Sequence, residues 1–330
     1  MRPPPKPVLA AGRPEQDRIF VSLAAYCDPL LGFTIASALT QASRPGRVVF
    51  GVVEQQMPQA CIRLPEAWQA QVRRIHIHPL EARGPCWARA IAMSLYQGEP
   101  WFLQIDSHMW FEPGWDERLV HWGERCALRN PRSLISTYPN AFTLRDGQPV
   151  ADIAGPELLA FVVRSEQQFQ PDHPVLTFEA VPVAGREPLP ALHIGAGCLF
   201  GPGRLVQELP YDPFLYFHGE EQAFALRAWT RGWDIFQIPR MPIYHQYLTG
   251  SHSPRALHWS PELDAQRQIC SAQFTEAANR RMAALLWDGA DLGIYGLGKV
   301  RSLAEYAAFS GIDYAARSIA PSAYKARYGY

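Results

Sequence analysis

From Arg18 onward, short apolar runs of strand length alternate with segments whose apolar residues recur every three or four positions, and this alternation restricts the chain to one class of fold. RIFVSLAAY (18–26), GRVVFGVVE (46–54), VRRIHIHPL (72–80) and PWFLQID (100–106) read as strands. Interleaved with them, PLLGFTIASALTQAS (29–43), CWARAIAMSLY (86–96) and GWDERLVHWGERCALR (114–129) have helical spacing, the last with its charges on one side. Strands alternating with helices predict an α/β fold built on a mixed, mostly parallel sheet. In open sheets of this kind ligands gather at the carboxyl ends of the strands, where loops converge and helix N-termini point towards them. Residues just after a strand are therefore the first candidates for chemistry.

Farther along, residues 137–192 are proline-rich and irregular, which predicts short strands and an acceptor-side loop. LHIGAGCLFGPGRL (192–205) reads as a strand interrupted by glycines, EEQAFALRAWTRG as a helix ending at Gly232, and WDIFQIP and PIYHQY as two more short strands. The segment from Leu263 to Trp287 and a last stretch around SLAEYAAF read as helices. The expected organisation is a proline-rich, disordered N-terminus over 1–16, a catalytic domain over 17–250 and a helical C-terminal extension over 251–330 packed on it.

Composition excludes several classes of function. Lys+Arg and Asp+Glu both total 31, so no basic field exists to hold nucleic acid non-specifically. MRPPPKPVLAAGRPEQ lacks the apolar stretch of a signal peptide, and the longest apolar runs, such as VVFGVV at 48–53, fall far below the ~20 residues of a membrane span. A chain with neither nucleic-acid nor membrane partner is expected. Its six cysteines show no CxxC pair and no dense framework, which points to reduced thiols and a cytoplasmic location.

Three features carry chemistry. In QIDSHMWF (104–111), Asp106 and His108 lie two residues apart directly after an apolar strand. In extended backbone that spacing points both side chains the same way, so a carboxylate and an imidazole could converge on one cation. Taken alone, the pair is equally a turn cap and a histidine packed against Trp110. In HGEEQAFALRAW (218–229), Glu220 and Glu221 open a helix, a place where acidic residues are favoured by the dipole alone. Neighbours on a helix diverge by about 100°, so one of the two faces a reaction centre, and Glu220 is slightly preferred. His245 in PIYHQY follows a strand and would complete a three-point site with Asp106 and His108.

These features, in this order, resemble the GT-A glycosyltransferases, in which a DxD or DxH motif ends a strand and binds a cation and a diphosphate. DSH, a later acidic motif and a later histidine are similar to the polypeptide GalNAc-transferases. The cytoplasmic hydroxyproline-type GlcNAc-transferases resemble the chain more closely, through VSLAAYCDP (21–29), ARGPCWAR (82–89), GAGCLFGP (195–202), FHGEEQAFALRAWTRGWD (217–234), PIYHQY and YGLGKVRSLAEYAAFSGID (295–313). The resemblance implies a Rossmann-like, GT-A type nucleotide-sugar-binding fold and transfer of a sugar, GlcNAc from UDP-GlcNAc by analogy, to a hydroxyl on a peptide, glycan or small molecule. It also implies Mn2+ or Mg2+ on Asp106, His108 and His245, with catalytic roles for Glu220 and Glu221. Donor contacts would come from Ser22, Ala24 and Tyr26 beside uracil and ribose, Arg83 and Arg89 on the diphosphate, and Asp106 and Ser107. Gly195, Ala196 and Gly197 would leave room for the sugar ring. A metal-dependent phosphoesterase and a non-catalytic carbohydrate-binding protein are the rival readings.

Overall fold

The structure is a computed structural model and describes residues 17–152, 158–247 and 255–326. The expected disorder of residues 1–16 lies outside the described residues, as does the expected boundary at 250. The first half is the alternation anticipated: β1 (Ile19–Tyr26), α1 (Leu31–Gln41), β2 (Val48–Gln55), α2 (Glu66–Gln69), β3 (Val72–Ile77), α3 (Pro85–Met93) and β4 (Trp101–Ile105). Proline occupies the first turn of α3, where its missing N–H costs nothing and its fixed φ favours the helix. A short strand, β5 (Met109–Phe111), and the amphipathic α4 (Trp115–Ala127) follow.

The second half is more broken: β6 (Ser133–Ser136), β7 (Asn140–Arg145), β8 (Gln148–Ala151), β9 (Leu158–Val163), β10 (Phe178–Val183), β11 (Leu189–Pro190), β12 (Cys198–Pro202), α5 (Leu205–Glu208), α6 (Glu220–Thr230), β13 (Asp234–Gln237) and β14 (Ile243–His245). After it come α7 (Pro261–Asp264), α8 (Ser271–Leu286) and α9 (Leu303–Ser310), the last opened by a capping box between Ser302 and Glu305.

The central sheet runs β11-β13-β6-β12-β4-β1-β2-β3. β3, β2, β1 and β4 are mutually parallel, whereas β12 runs antiparallel to both β4 and β6. A second sheet, β5-β14-β7-β8, lies beyond the end of β4. The twofold alternation of side chains splits β1 and β4 between two cores. Val21 and Leu103 join Ile35 of α1 and Leu119 of α4, while Phe20 and Phe102 join Phe224 of α6. Each of these side chains is almost wholly out of water, a gain of about 1.5–3 kcal/mol apiece. Because both faces are covered, these strands read as continuous apolar runs.

The C-terminal helices share the second of these cores. Met282, Leu285 and Tyr306 belong to the same cluster as Phe224, and the Tyr306 hydroxyl donates to the Leu192 carbonyl at 2.7 Å. Gln222 of α6 donates to the Tyr314 hydroxyl at 2.9 Å. Among the described residues no helix is long and apolar enough to cross a membrane.

Candidate active site

β4 delivers Asp106 to the carboxyl edge of the parallel strands, where its N–H donates to the Gly197 carbonyl at 3.3 Å. The next two residues do not continue the strand but bend. α1 holds that bend: the Thr34 hydroxyl donates to the Ser107 carbonyl at 2.8 Å and accepts from the Met109 N–H at 2.9 Å. Met109 then pairs antiparallel with His245 across β5 and β14, which carries His245 to His108 from far along the chain. One ligand atom each from Asp106, His108 and His245 lies within 4.8 Å of the others. The convergence read from an extended DxH spacing is therefore made by a turn and a strand pairing.

Donor atoms in this cluster are arranged as a cation needs them. His108 Nε2 faces His245 Nε2 at 2.9 Å, and His245 Nε2 lies 3.2 Å from Asp106 Oδ2. The buried Asp28 carboxylate sits 2.7 Å from His108 Nδ1. A carboxylate only accepts, so Nδ1 carries the proton and Nε2 presents its lone pair to the cluster. Asp28 is itself fixed by the Ser107 hydroxyl at 2.6 Å and the Leu30 N–H at 2.9 Å. Two imidazole nitrogens and a carboxylate oxygen thus fit a divalent cation that keeps open positions for a ligand.

Electrostatics hold these groups in their ligand forms. Burial works against the Asp106 carboxylate, but the His245 hydrogen bond and the charge of Arg89 hold its pKa far below the usual range. Burial lowers the pKa of His108 even though Asp28 opposes that shift, so the ring favours its neutral state. Asp28 is likewise lowered, its burial outweighed by His108 and Ser107.

Two cavities meet at Asp106, Arg89 and Phe217. One, of about 350 Å³, runs past Ala24, Tyr26, Ser107, His108 and His245. The other, of about 330 Å³, is lined by Tyr138, Arg164, Phe178, His193, Ala196, Gly197 and Glu221. Most of the expected site residues therefore come together, and Ser22, Arg83 and Gly195 line neither cavity. Ser22 is fully buried opposite Gln104 and Gly51, in the middle of the sheet, because β1 runs four residues beyond it. Arg83 is exposed, lies over the Trp87 ring, and lines a separate groove with Glu81 and Phe274. Tyr26 stays at the first cavity, with its hydroxyl accepting from Arg267 and its pKa raised to about 12 mainly by burial.

The remaining expectations are refined by contacts. Arg89 was expected to offer its fork to a diphosphate; here the fork holds Glu220 Oε1 and Asp106 Oδ1, each at 2.8 Å. The space beside the two glycines is taken by the protein itself. A Cβ on Gly195 would meet the Thr137 carbonyl at 2.6 Å, and one on Gly197 would meet Asp106 Oδ2 at 2.4 Å. Gly197 lets the turn before β12 close on the Asp106 carboxylate, and Gly195 lets it close on the backbone of Thr137. Of the two glutamates, Glu220 is 4% exposed and accepts from Arg89, Tyr211 and Cys86. Glu221 is the more open one, its Oε1 accepting from the Ala196 N–H at 2.6 Å and its Oε2 from the Tyr138 hydroxyl at 2.9 Å. The 100° divergence holds: the first glutamate points inward to Arg89, and the second is the more exposed of the two in the cavity that both line.

Sequence reasoning missed Asp28, Tyr138 and His193. Asp28 carried a signal, an Asp-Pro pair between a strand and a helix. His193 stands two residues before the GAG turn, stacks on Phe178 at 3.6 Å and approaches Glu221 Oε2 at 3.4 Å. Burial opposes the Glu221 charge, but His193, the Ala196 N–H and the Tyr138 hydroxyl hold its pKa below the ordinary value.

The structure of GalNAc-T7 with UDP, GalNAc and Mn2+ is similar in fold, with a TM-score of 0.60 at 15% identity. The match covers 88% of this chain and 54% of that one, so the chain spans about half the length of the structure it resembles. That likeness establishes the GT-A architecture. No curated protein sequence matches the chain. The sequence model of the glycosyltransferase (GlcNAc) family matches residues 58–316, from the end of β2 through the last helix and including DSH, the GAG turn, both glutamates and His245. The chain belongs to the GlcNAc glycosyltransferase family and is a glycosyltransferase.

Proposed function

We propose that the protein transfers GlcNAc from UDP-GlcNAc to an acceptor hydroxyl with retention of anomeric configuration, using a divalent cation held by Asp106, His108 and His245. The observation that carries this reading is the convergence of three ligand atoms within 4.8 Å where the two cavities meet. Two imidazoles beside one carboxylate favour Mn2+ over the harder Mg2+. The cation would offset charge developing on the departing diphosphate. The UDP and Mn2+ named with the GalNAc-T7 structure support a UDP-sugar donor and this choice of metal.

On this reading the cavity at Ala24, Tyr26 and Ser107 takes the nucleotide, and Ala196 and Gly197 flank the sugar. Glu221 positions the attacking hydroxyl, its own orientation fixed by Tyr138 and the Ala196 N–H. Attack on the same face as the leaving group needs no protein nucleophile. The acceptor is a hydroxyl of a peptide, a glycan or a small molecule. We also assign the chain to the cytoplasmic hydroxyproline-type branch, on its YGLGKVRSLAEYAAFSGID ending and its dispersed cysteines. Residues 17–250 form its catalytic domain and 251–330 an extension packed on it. Family membership sets the phosphoesterase and non-catalytic readings aside.

The test is release of UDP from a panel of UDP-sugars with Mn2+, wild type against Asp106→Ala. Turnover of one donor is expected, stopping without metal and falling on the order of 10³-fold in the variant, the size of several kcal/mol of lost charge stabilisation. Equal rates in both proteins would overturn the reading.

A further inference from the structure

Glu220 is 4% exposed with both carboxylate oxygens engaged by protein donors, and it is tied to the Asp106 cluster through one residue. Arg89 donates from Nη1 to Glu220 Oε1 at 2.8 Å and from Nη2 to Asp106 Oδ1 at 2.8 Å. Arg89 is 5% exposed, and its guanidinium also lies against Tyr211, 3.3 Å from the hydroxyl and 5.6 Å from the ring centroid. The second oxygen of Glu220 accepts from the Tyr211 hydroxyl and the Cys86 thiol, both at 3.0 Å. Both oxygens of Glu220 and Oδ1 of Asp106 are thus engaged, and Asp106 Oδ2 faces His245.

Charge counting gives this arrangement a purpose. A guanidinium paired with Asp106 alone would neutralise it and place a fixed positive charge behind the carboxylate meant to hold a cation. With Glu220 on the other prong, the buried set of two carboxylates and one guanidinium keeps a net charge of −1. In a poorly solvated site such charges are felt much more strongly than in water. We infer that Glu220 is a positioning residue of the metal site, serving as the counter-charge of Arg89 so that Asp106 keeps both its orientation and its negative charge for a divalent cation. The inference rests on the proposal that Asp106, His108 and His245 hold that cation. Arg89, for its part, fixes Asp106 through Oδ1, which leaves Oδ2 turned towards His245.

Mn2+ affinity, measured by calorimetry and by the electron paramagnetic resonance of free Mn2+, reads this directly in the full chain without substrate. Glu220→Gln keeps the shape and one acceptor for Arg89 but removes the counter-charge. Its Mn2+ affinity is expected to fall ~10- to 100-fold, the usual range for an outer-shell partner. The double variant Arg89→Met with Glu220→Gln restores a net charge of −1 on Asp106 and is expected to bind within about fivefold of wild type. A residue that matters for packing alone would not show this recovery. The double variant removes the guanidinium together with its counter-charge and leaves no buried guanidinium without a full partner, so it remains the test if the single variant fails to fold. Unchanged affinity in Glu220→Gln, or weak binding in the double variant, overturns the inference while leaving the metal site standing. A wild-type protein that binds no Mn2+, with or without UDP, overturns both.

Discussion

The two cavities that share Asp106 are built in opposite ways. On the side of Tyr26, Ser107 and His108, one wall is the carboxyl ends of adjacent parallel strands, whose residues fall in two short runs, 24–28 and 106–108, while His245 and residues 255–259 close the rest. On the side of Glu221, Tyr138, Phe178 and His193 come from separate segments joined by mixed and antiparallel pairing. A parallel βα unit places its functional residues at a fixed point in the local sequence, whereas an assembled wall depends on segments that meet only in the finished fold. The first kind of site can be read as a motif and the second cannot.

Glu221→Gln tests this division most strongly. Transfer to an acceptor is expected to fall by ~10²-fold, the scale for a group that acts on the reacting atoms. Donor binding, followed by calorimetry with UDP, should stay within about threefold of wild type. An equal loss in both would mean that the two cavities do not divide donor from acceptor.

Asp28→Asn probes the other side. Asparagine can donate to His108 Nδ1, which moves the ring proton to Nε2 and removes the lone pair from the cluster. Mn2+ affinity is expected to drop ~10- to 100-fold, with the thermal melt as a control for folding. Wild-type affinity in this variant would show that Asp28 only caps α1.

A third prediction concerns the wall that the C-terminal segment lends to the nucleotide side. His258 lines that cavity and bridges the Tyr216 hydroxyl at 2.7 Å and the Ala82 carbonyl at 2.9 Å. Burial, opposed by the Ala82 bond and aided by Arg267, lowers its pKa from 6.5 to about 4. The folded state therefore binds fewer protons than the unfolded one between those values, and stability must fall as pH drops from about 6.5 to 4. The loss attributable to this ring is of the order of 3 kcal/mol. Denaturant titrations at pH 7 and pH 4 should show a smaller difference in His258→Gln; an identical difference would remove His258 from the account.

The smallest effect belongs to Arg83→Ala. Its side chain lies over Trp87 in a groove away from both cavities, so UDP-sugar turnover should change by no more than about twofold. A tenfold rise in KM would return Arg83 to the donor site.

Much of this organisation is legible in the sequence. The strands at 18–26 and 100–106 and the helix from Glu220 stand where periodicity puts them, whereas the DSH segment turns where its spacing reads as extended. Ser22 is instructive as a failure: the strand reads as 18–26, which puts Ser22 at mid-strand, and the resemblance alone carries it to the nucleotide. The adjacent glutamates are another, since their helix was readable while its rotation about its own axis was set by Arg89 and Ala196.

What the sequence determined by itself is what depends on neighbours in the chain: the βα alternation, and the carboxylate and imidazole at the end of β4. The tertiary structure alone decided which long-range partners meet them. Pairing of β5 with β14 brought His245 to His108, and the turn after β1 put Asp28 behind that ring. The contacts of α3 with the start of α6 and with the end of β4 gave Arg89 two carboxylates to hold. A hydrogen bond reaches about 3 Å and carries no trace in residue order, so contacts between residues scores of positions apart exist only once the sheet has set its register.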